Sequence, residues 1–246
     1  MASYCLPSKI SEWDLGFVSD LYPGVTEVTV VINSTGNACG FTAYYPAQNE
    51  ILFVFRGTEM LSIQNWIDDL DFFSIDYPGC SGCTVHQGFY NTYLEIKDII
   101  ISSAKSLYAK HSNARKIVTG HSLGGALAVH ASIDIVNAFG PIDEFYTYGQ
   151  PRVGNEQFAQ YVNVMVPGDF NSRVTHNRDP VPHLPLINMG FFHIDTEVFY
   201  NVDGSFSICK VGEDQSCSDN QLDIDILDHL QYMGKDLVPY MLACNL

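Results

Sequence analysis

Lys116-Ile117-Val118-Thr119-Gly120-His121-Ser122-Leu123-Gly124-Gly125 is a short β-branched run that ends in glycine and gives way to the alanine-rich residues 126–138. A strand pattern is thus followed at once by a helix pattern, and the junction spells Gly-x-Ser-x-Gly. In that motif the serine sits on a sharp strand-to-helix turn, and the flanking glycines lack the Cβ atoms that would block so tight an approach of helix to strand. The placement between strand and helix gives the five residues their meaning, since a bare match is common. Ser122 is therefore a nucleophile candidate.

Before this strand, Phe89, Tyr93, Ile96, Ile100, Ala104 and Leu107 recur at steps of three or four, so residues 89–110 form a long amphipathic helix leading into it. Residues 51–55, Ile-Leu-Phe-Val-Phe, are a continuous apolar run of strand length, as expected for a strand covered on both faces, and end at Arg56-Gly57-Thr58. Residues 28–32 and 41–45 read as a hairpin around a turn-forming segment. Downstream, residues 144–148 and 173–176 are further strands. Asn155 caps a helix holding Phe158 and Tyr161, and Asn201-Val202-Asp203-Gly204 turns residues 196–200 into 206–209. Strands alternating with helices predict a mostly parallel central sheet flanked by helices, with its functional loops at the carboxyl ends of the strands.

Between Thr58 and that long helix, Ile63, Trp66, Ile67 and Leu70 fall at i, i+3, i+4 and i+7 and share one face of a short helix. A core helix and a mobile amphipathic flap both fit this pattern, and the residues alone leave the choice open.

A serine hydroxyl needs an imidazole to take its proton and a carboxylate to orient that imidazole. On a sheet of this kind the chain order is Ser, then Asp or Glu, then His. Asp179 directly follows a predicted strand and precedes Pro180, so it ranks first among the acids. His183 is only four residues away and hard to swing round to it. His193 and His229 both remain open on spacing, and His121 and His176 read as supporting residues beside the site.

The chain of 246 residues, 46% hydrophobic and 13% aromatic, is that of a globular protein; no boundary, repeat or linker divides it, and residues 1–246 read as one domain. No apolar run approaches a membrane span. A formal charge of −16, from 28 acidic and 12 basic residues, excludes a nucleic-acid partner and disfavours anionic membranes. Seven cysteines, with Cys80 and Cys83 close together, fit extracellular disulfides better than a zinc site, for which no further ligands lie at motif spacing. The acidic run Asp223, Asp225, Asp228 lacks the glycine and spacing of a calcium loop, and no metal or cofactor is expected. Residues 1–5 lack the basic start and apolar stretch of a signal peptide, so secretion is expected with a leader already removed or with the sequence beginning inside a longer protein. Asn33-Ser34-Thr35 is a glycosylation sequon.

A set of motifs then matches a known family. Arg56-Gly57-Thr58, Ser62-Ile63-Gln64-Asn65-Trp66-Ile67, Val85-His86-Gln87-Gly88-Phe89, residues 119–125, residues 148–155, Val174-Thr175-His176 with Asp179-Pro180-Val181-Pro182, and Asp228-His229-Leu230-Gln231-Tyr232 resemble, in order and over nearly the whole chain, the filamentous-fungal type of class 3 lipase. The resemblance implies an α/β-hydrolase fold with Ser122 as nucleophile, Asp179 as triad acid and His229 as base. It implies an oxyanion hole from the backbone N–H groups of Leu123 and Thr58, and a lid over residues 61–71 that presents Ile63, Trp66, Ile67 and Leu70 to substrate. It also implies the disulfides Cys5–Cys244, Cys80–Cys83 and Cys209–Cys217, leaving Cys39 over. The feruloyl esterases of the family share the triad but carry a more polar flap. The expected activity is hydrolysis of triacylglycerol esters through an acyl-enzyme, by a secreted monomer acting at an oil–water interface and activated by lid opening. Feruloyl or other soluble carboxylesterase, phospholipase A1 and, more distantly, a catalytically silent lipid-binding protein are the alternatives.

Overall fold

The computed structural model describes residues 2–33, 38–58, 62–69, 71–167, 171–221 and 223–244. Two short helices, α1 (Pro7–Glu12) and α2 (Phe17–Leu21), precede the strands β1 (Thr26–Ile32), β2 (Cys39–Tyr45) and β3 (Glu50–Arg56). There follow α3 (Ile63–Asp68), the hairpin β4 (Ser74–Asp76) and β5 (Thr84–His86), α4 (Gln87–Lys110), β6 (Arg115–His121), α5 (Leu123–Phe139), β7 (Glu144–Tyr148), α6 (Glu156–Met165) and β8 (Asn171–His176). The chain ends with β9 (Glu197–Tyr200), β10 (Phe206–Cys209), the small hairpin β11 (Gln231–Tyr232) and β12 (Lys235–Asp236), and α7 (Leu237–Ala243).

One sheet runs β1-β2-β3-β6-β7-β8-β9-β10. Its middle, β3 through β9, is parallel, while the hairpin strands β1 and β2 at one end and β10 at the other run antiparallel to their neighbours. The expected mostly parallel sheet flanked by helices is what forms, because each parallel neighbour must be reached by a crossover that returns the chain to the same end. With the helical crossovers on its faces, this is the α/β-hydrolase arrangement.

Helix α4 buries Phe89, Tyr93, Ile96, Ile100, Ala104 and Leu107, the same stripe that the spacing predicts. It starts two residues earlier than the periodicity indicates, because His86 caps it, its Nδ1 accepting from the Phe89 N–H at 3.2 Å. Helix α5 is buried nearly all round, between the sheet and α4, and its alanines permit that close packing. On the other face of the sheet, Ile10, Leu15, Val18, Phe41 and Ala43 form a second cluster that includes Cys5 and Cys244.

All three disulfides implied by the resemblance are present: Cys5–Cys244, Cys80–Cys83 and Cys209–Cys217. The first closes a loop of sequence separation 239, for which loop entropy alone stabilises by about 5 kcal/mol. Cys39 is buried and stands outside these three bonds. Asn33 is not an open glycan acceptor. It is 8% exposed, its Nδ2 donates to Glu95 at 2.6 Å and its Oδ1 accepts from the Ala38 N–H at 3.0 Å. Among the described residues no helix is long and apolar enough to cross a membrane.

Candidate active site

Strand β6 delivers His121 to the carboxyl edge of the sheet, and Ser122 turns the chain into α5 with φ 59° and ψ −131°. A non-glycine residue held there stores strain of about 1–3 kcal/mol. The surroundings enforce it: the Ser122 N–H donates to the Tyr148 carbonyl at 2.9 Å and the Ser122 carbonyl accepts from the Gly125 N–H at 2.8 Å. The motif glycines are required by contact. A Cβ at Gly120 would lie 2.1 Å from the Gly124 oxygen, and one at Gly124 would lie 2.4 Å from the Phe55 oxygen. Gly57, at the exit of β3, is equally constrained, for its Cβ would stand 2.6 Å from the Ser122 Cβ. Thr58 is the next residue in the chain. Leu123 is the first residue of α5, where backbone N–H groups have no intrahelical acceptor.

The acid and base arrive from loops after β8 and β10. His229 Nδ1 lies 2.8 Å from Asp179 Oδ2, and both side chains are buried. The same carboxylate oxygen accepts a short hydrogen bond from the Tyr232 hydroxyl, and Oδ1 accepts from the Val181 N–H at 2.8 Å. Burial alone would raise the Asp179 pKa. The adjacent His229 and the donors from His229, Tyr232 and Val181 outweigh it, so the carboxyl stays below its ordinary range and is an anion in the folded protein. An anionic acceptor at Nδ1 assigns the proton to that nitrogen and leaves Nε2 as the base. Gly149, at φ 55°, makes room for the pair: a Cβ there would be 2.8 Å from Asp179 Oδ2 and from His229 Nδ1. Ser122 Oγ and His229 Nε2 are both buried and have no hydrogen-bond partner among the described residues. These are the two atoms that a proton transfer from serine to histidine must join.

His193, which spacing left open, is held elsewhere: its Nε2 donates to the Pro182 carbonyl at 2.7 Å. His176 Nδ1 bonds the Asp228 carbonyl at 3.0 Å. His121 supports the site. Its Nε2 donates to the His229 carbonyl at 2.9 Å, its Nδ1 meets the Tyr4 hydroxyl at 2.6 Å, and its ring lies 4.5 Å from that of His229. Burial, and then the neighbouring His229, push its pKa down to about 3, so it is a neutral hydrogen-bonding strut. Tyr4 has no motif-level signal beyond its place next to Cys5, and Gly149 lies in the motif of residues 148–155 without a role assigned to it. Tyr232 was visible in the last motif but without a role.

Helix α3 turns Ile63, Trp66 and Ile67 inward, with Ile63 buried and the Trp66 ring stacked on Phe89 at 6.1 Å, while Gln64, Asn65 and Asp68 face water. Leu70, expected on the same face, lies outside the described residues, as do residues 59–61 of the link. A cleft of about 630 Å³ separates this helix from the start of α4, lined among others by Thr58, Asn65, Trp66, Asp71, Phe73 and Asn91. Ser122 is 0% exposed, so a substrate reaches it only if a covering segment moves.

A buried ionic cluster absent from the sequence reading braces the Asp179 loop. Arg152 donates to the His183 and Pro185 carbonyls, to both oxygens of Glu213 and, at 2.9 Å, to Asp219. Burial, and then its contact with Glu213, raise the Asp219 pKa to about 7. An acid whose folded-state pKa is raised favours its protonated form in the fold, so this contribution is full below the unfolded value near 3.9 and is lost as pH rises through about 7. Asp219→Asn, which stays uncharged, should therefore melt higher than the parent at about pH 8.5 in calorimetry, by a margin that shrinks as pH falls from about 7 and closes below about pH 4. Among the described residues no group of three or more His, Cys, Asp and Glu side chains could hold a metal ion.

A serine at the strand–helix elbow of a parallel sheet, with an aspartate and then a histidine following in chain order, defines a member of the α/β-hydrolase class. Residues 52–189, more than half of the chain, match the family described as Lipase (class 3). The chain belongs to the class 3 lipase family. It is 36% identical over 196 residues to the lipase of Rhizomucor miehei, covering 76% of this chain and 53% of that protein. To the secreted mono- and diacylglycerol lipase A of Penicillium camembertii it is 35% identical over 161 residues, or 65% and 51%. This chain thus spans about half the length of those two relatives. A solved triacylglycerol lipase, whose catalytic centre is described as a serine protease triad, superimposes with a TM-score of 0.86 at 31% identity, covering 96% of this chain and 91% of that one.

Proposed function

We propose that this protein is a secreted triacylglycerol lipase working by acyl transfer. The observation that carries the reading is the buried His229–Asp179 pair beside a strained, buried Ser122. His229 Nε2 takes the Ser122 proton as Oγ attacks the ester carbonyl, and Asp179 stabilises the imidazolium. The backbone N–H groups of Leu123 and Thr58 receive the oxyanion, where losing one such donor typically costs about 10²–10³ in rate. The imidazolium then protonates the departing alcohol, and water repeats the sequence on the acyl-enzyme. All three triad residues come from one chain, which favours a monomer. Three disulfides and a relative named as secreted favour an extracellular setting.

In the lid reading, residues 61–71 cover the site in water with the face of Ile63, Trp66 and Ile67 inward. At a lipid surface that face binds and the population shifts to the open form. The rate on a short-chain triglyceride should therefore climb steeply at the solubility limit, and a smooth hyperbola through that limit would contradict the lid. Trp66→Ala should lower the rate on an emulsion by about tenfold more than that on a soluble ester, because only the emulsion draws on the exposed indole. An equal loss on both would make Trp66 an ordinary core residue. A panel of tri-, di- and monoglycerides, phospholipid and methyl ferulate decides the substrate. Highest activity on partial glycerides would align this chain with the Penicillium relative, and activity confined to methyl ferulate would replace the lipase reading.

A further inference from the structure

The cations of this molecule are unevenly placed along the strand axis. Lys110 closes α4, and Arg115 and Lys116 open β6, with Arg115 paired in register with Glu50 at the start of β3. Lys105 is exposed in the last turns of α4. These cations all stand where the parallel strands begin, the end opposite Ser122, and carboxylates match them there: Glu27 pairs with Lys110, and Glu50 and Glu144 pair with Arg115. From Gly57 to Ile96, by contrast, the chain has no lysine or arginine and six carboxylates. That stretch leaves β3 beside Ser122 and carries Thr58, α3 and the β4–β5 hairpin. Its Asp68, Asp69, Asp71 and Asp76 are exposed, and between them Phe73 stands 66% exposed. Apart from the exposed Lys235, the cations at this end are engaged or buried. Arg178 is held by Asp225 at 3.1 Å and Asp228 at 3.3 Å, and Arg56 and Arg152 are buried.

We propose that the catalytic face is built to dock on an electrically neutral glyceride surface and to reject an anionic one. This inference rests on the esterase reading of Ser122. For Phe73 and the apolar face of α3 to touch lipid, the flanking carboxylates must come within the Debye length of about 8 Å, where the surface potential is barely screened. On a neutral surface only the apolar contact counts. On an anionic surface the carboxylates are repelled and oppose that contact. The reaction itself supplies such charge, since each turnover releases a fatty acid that ionises at the droplet surface. Accumulated product therefore loosens the enzyme from the surface it has consumed.

The test compares triolein droplets coated with phosphatidylcholine alone against droplets whose coat is about a third phosphatidylglycerol. Sedimented enzyme and fatty-acid release are measured on both, with p-nitrophenyl butyrate as soluble reference. Binding should fall about tenfold on the anionic coat at low salt and recover at about 0.5 M salt. Asp68→Asn, Asp71→Asn and Asp76→Asn together should restore it. The same change in net charge at Glu12, Asp20 and Asp98, all exposed and on α1, α2 and α4, should not. Equal binding to both coats, or equal recovery by the two triple variants, overturns the proposal. Failure to cleave p-nitrophenyl butyrate sinks the esterase reading instead, and the binding comparison still decides the surface.

Discussion

Replacing Ser122 by alanine should abolish ester hydrolysis and make the protein more stable. Loss of an activated serine in a triad costs about 10⁶ in kcat, because without Oγ there is no acyl-enzyme and the remaining groups act only on water. The stability gain has a separate cause. Ser122 Oγ is buried with no partner among the described residues, and an unsatisfied buried hydroxyl costs about 1–3 kcal/mol that alanine does not incur. The backbone strain at φ 59° is common to both residues and cancels. Activity on p-nitrophenyl butyrate and a melting curve read the two effects. Residual activity above about 1% would remove Ser122 from the chemistry, and a lowered melting temperature would mean that Oγ has a structural bond.

Asp179→Asn should cost about 10⁴ in kcat, with KM little changed. In the parent, Oδ1 accepts from Val181 and Oδ2 from His229 and Tyr232. An asparagine that keeps its oxygen on the Val181 N–H turns its NH₂ toward His229 Nδ1. The imidazole then carries its proton on Nε2 and cannot receive one from Ser122. The loss is thus one of tautomer, with the site's shape retained, and single-turnover kinetics should place it in acylation. A decrease of less than about tenfold would show that Asp179 is not the orienting acid.

Local chemistry made the elbow legible. The β-branched run, the two glycines and the alanine-rich helix are neighbours in sequence, and each glycine is needed for a contact within a few residues or with the adjacent strand. The stripe on α4 was legible for the same reason, since a period of 3.6 is a local signal. The choice between His193 and His229 was not. It depends on which loop folds back onto Asp179, and that is set by the β11–β12 hairpin, by Tyr232 and by the His121 contact to the His229 carbonyl, at separations of 50 to 108 residues. Only the family resemblance pointed to His229. The Arg152–Glu213–Asp219 cluster escaped because nothing in the spacing of residues 152, 213 and 219 joins them before the sheet is assembled. The sequon misled in the opposite sense, for a three-residue match does not reveal that the Asn33 amide is turned inward to Glu95.

Ser122 acts as a nucleophile activated by His229 and Asp179 in this mechanism, and that step can be trapped. A fluorophosphonate ester reacts with such a serine by the first half of the proposed mechanism, and intact-mass and peptide mass spectrometry locate the adduct. The predicted result is one phosphonyl group per chain, on Ser122, absent from Ser122→Ala and formed far more slowly in Asp179→Asn. No adduct in the folded parent protein, or an adduct on another residue, would show that Ser122 is not the activated nucleophile.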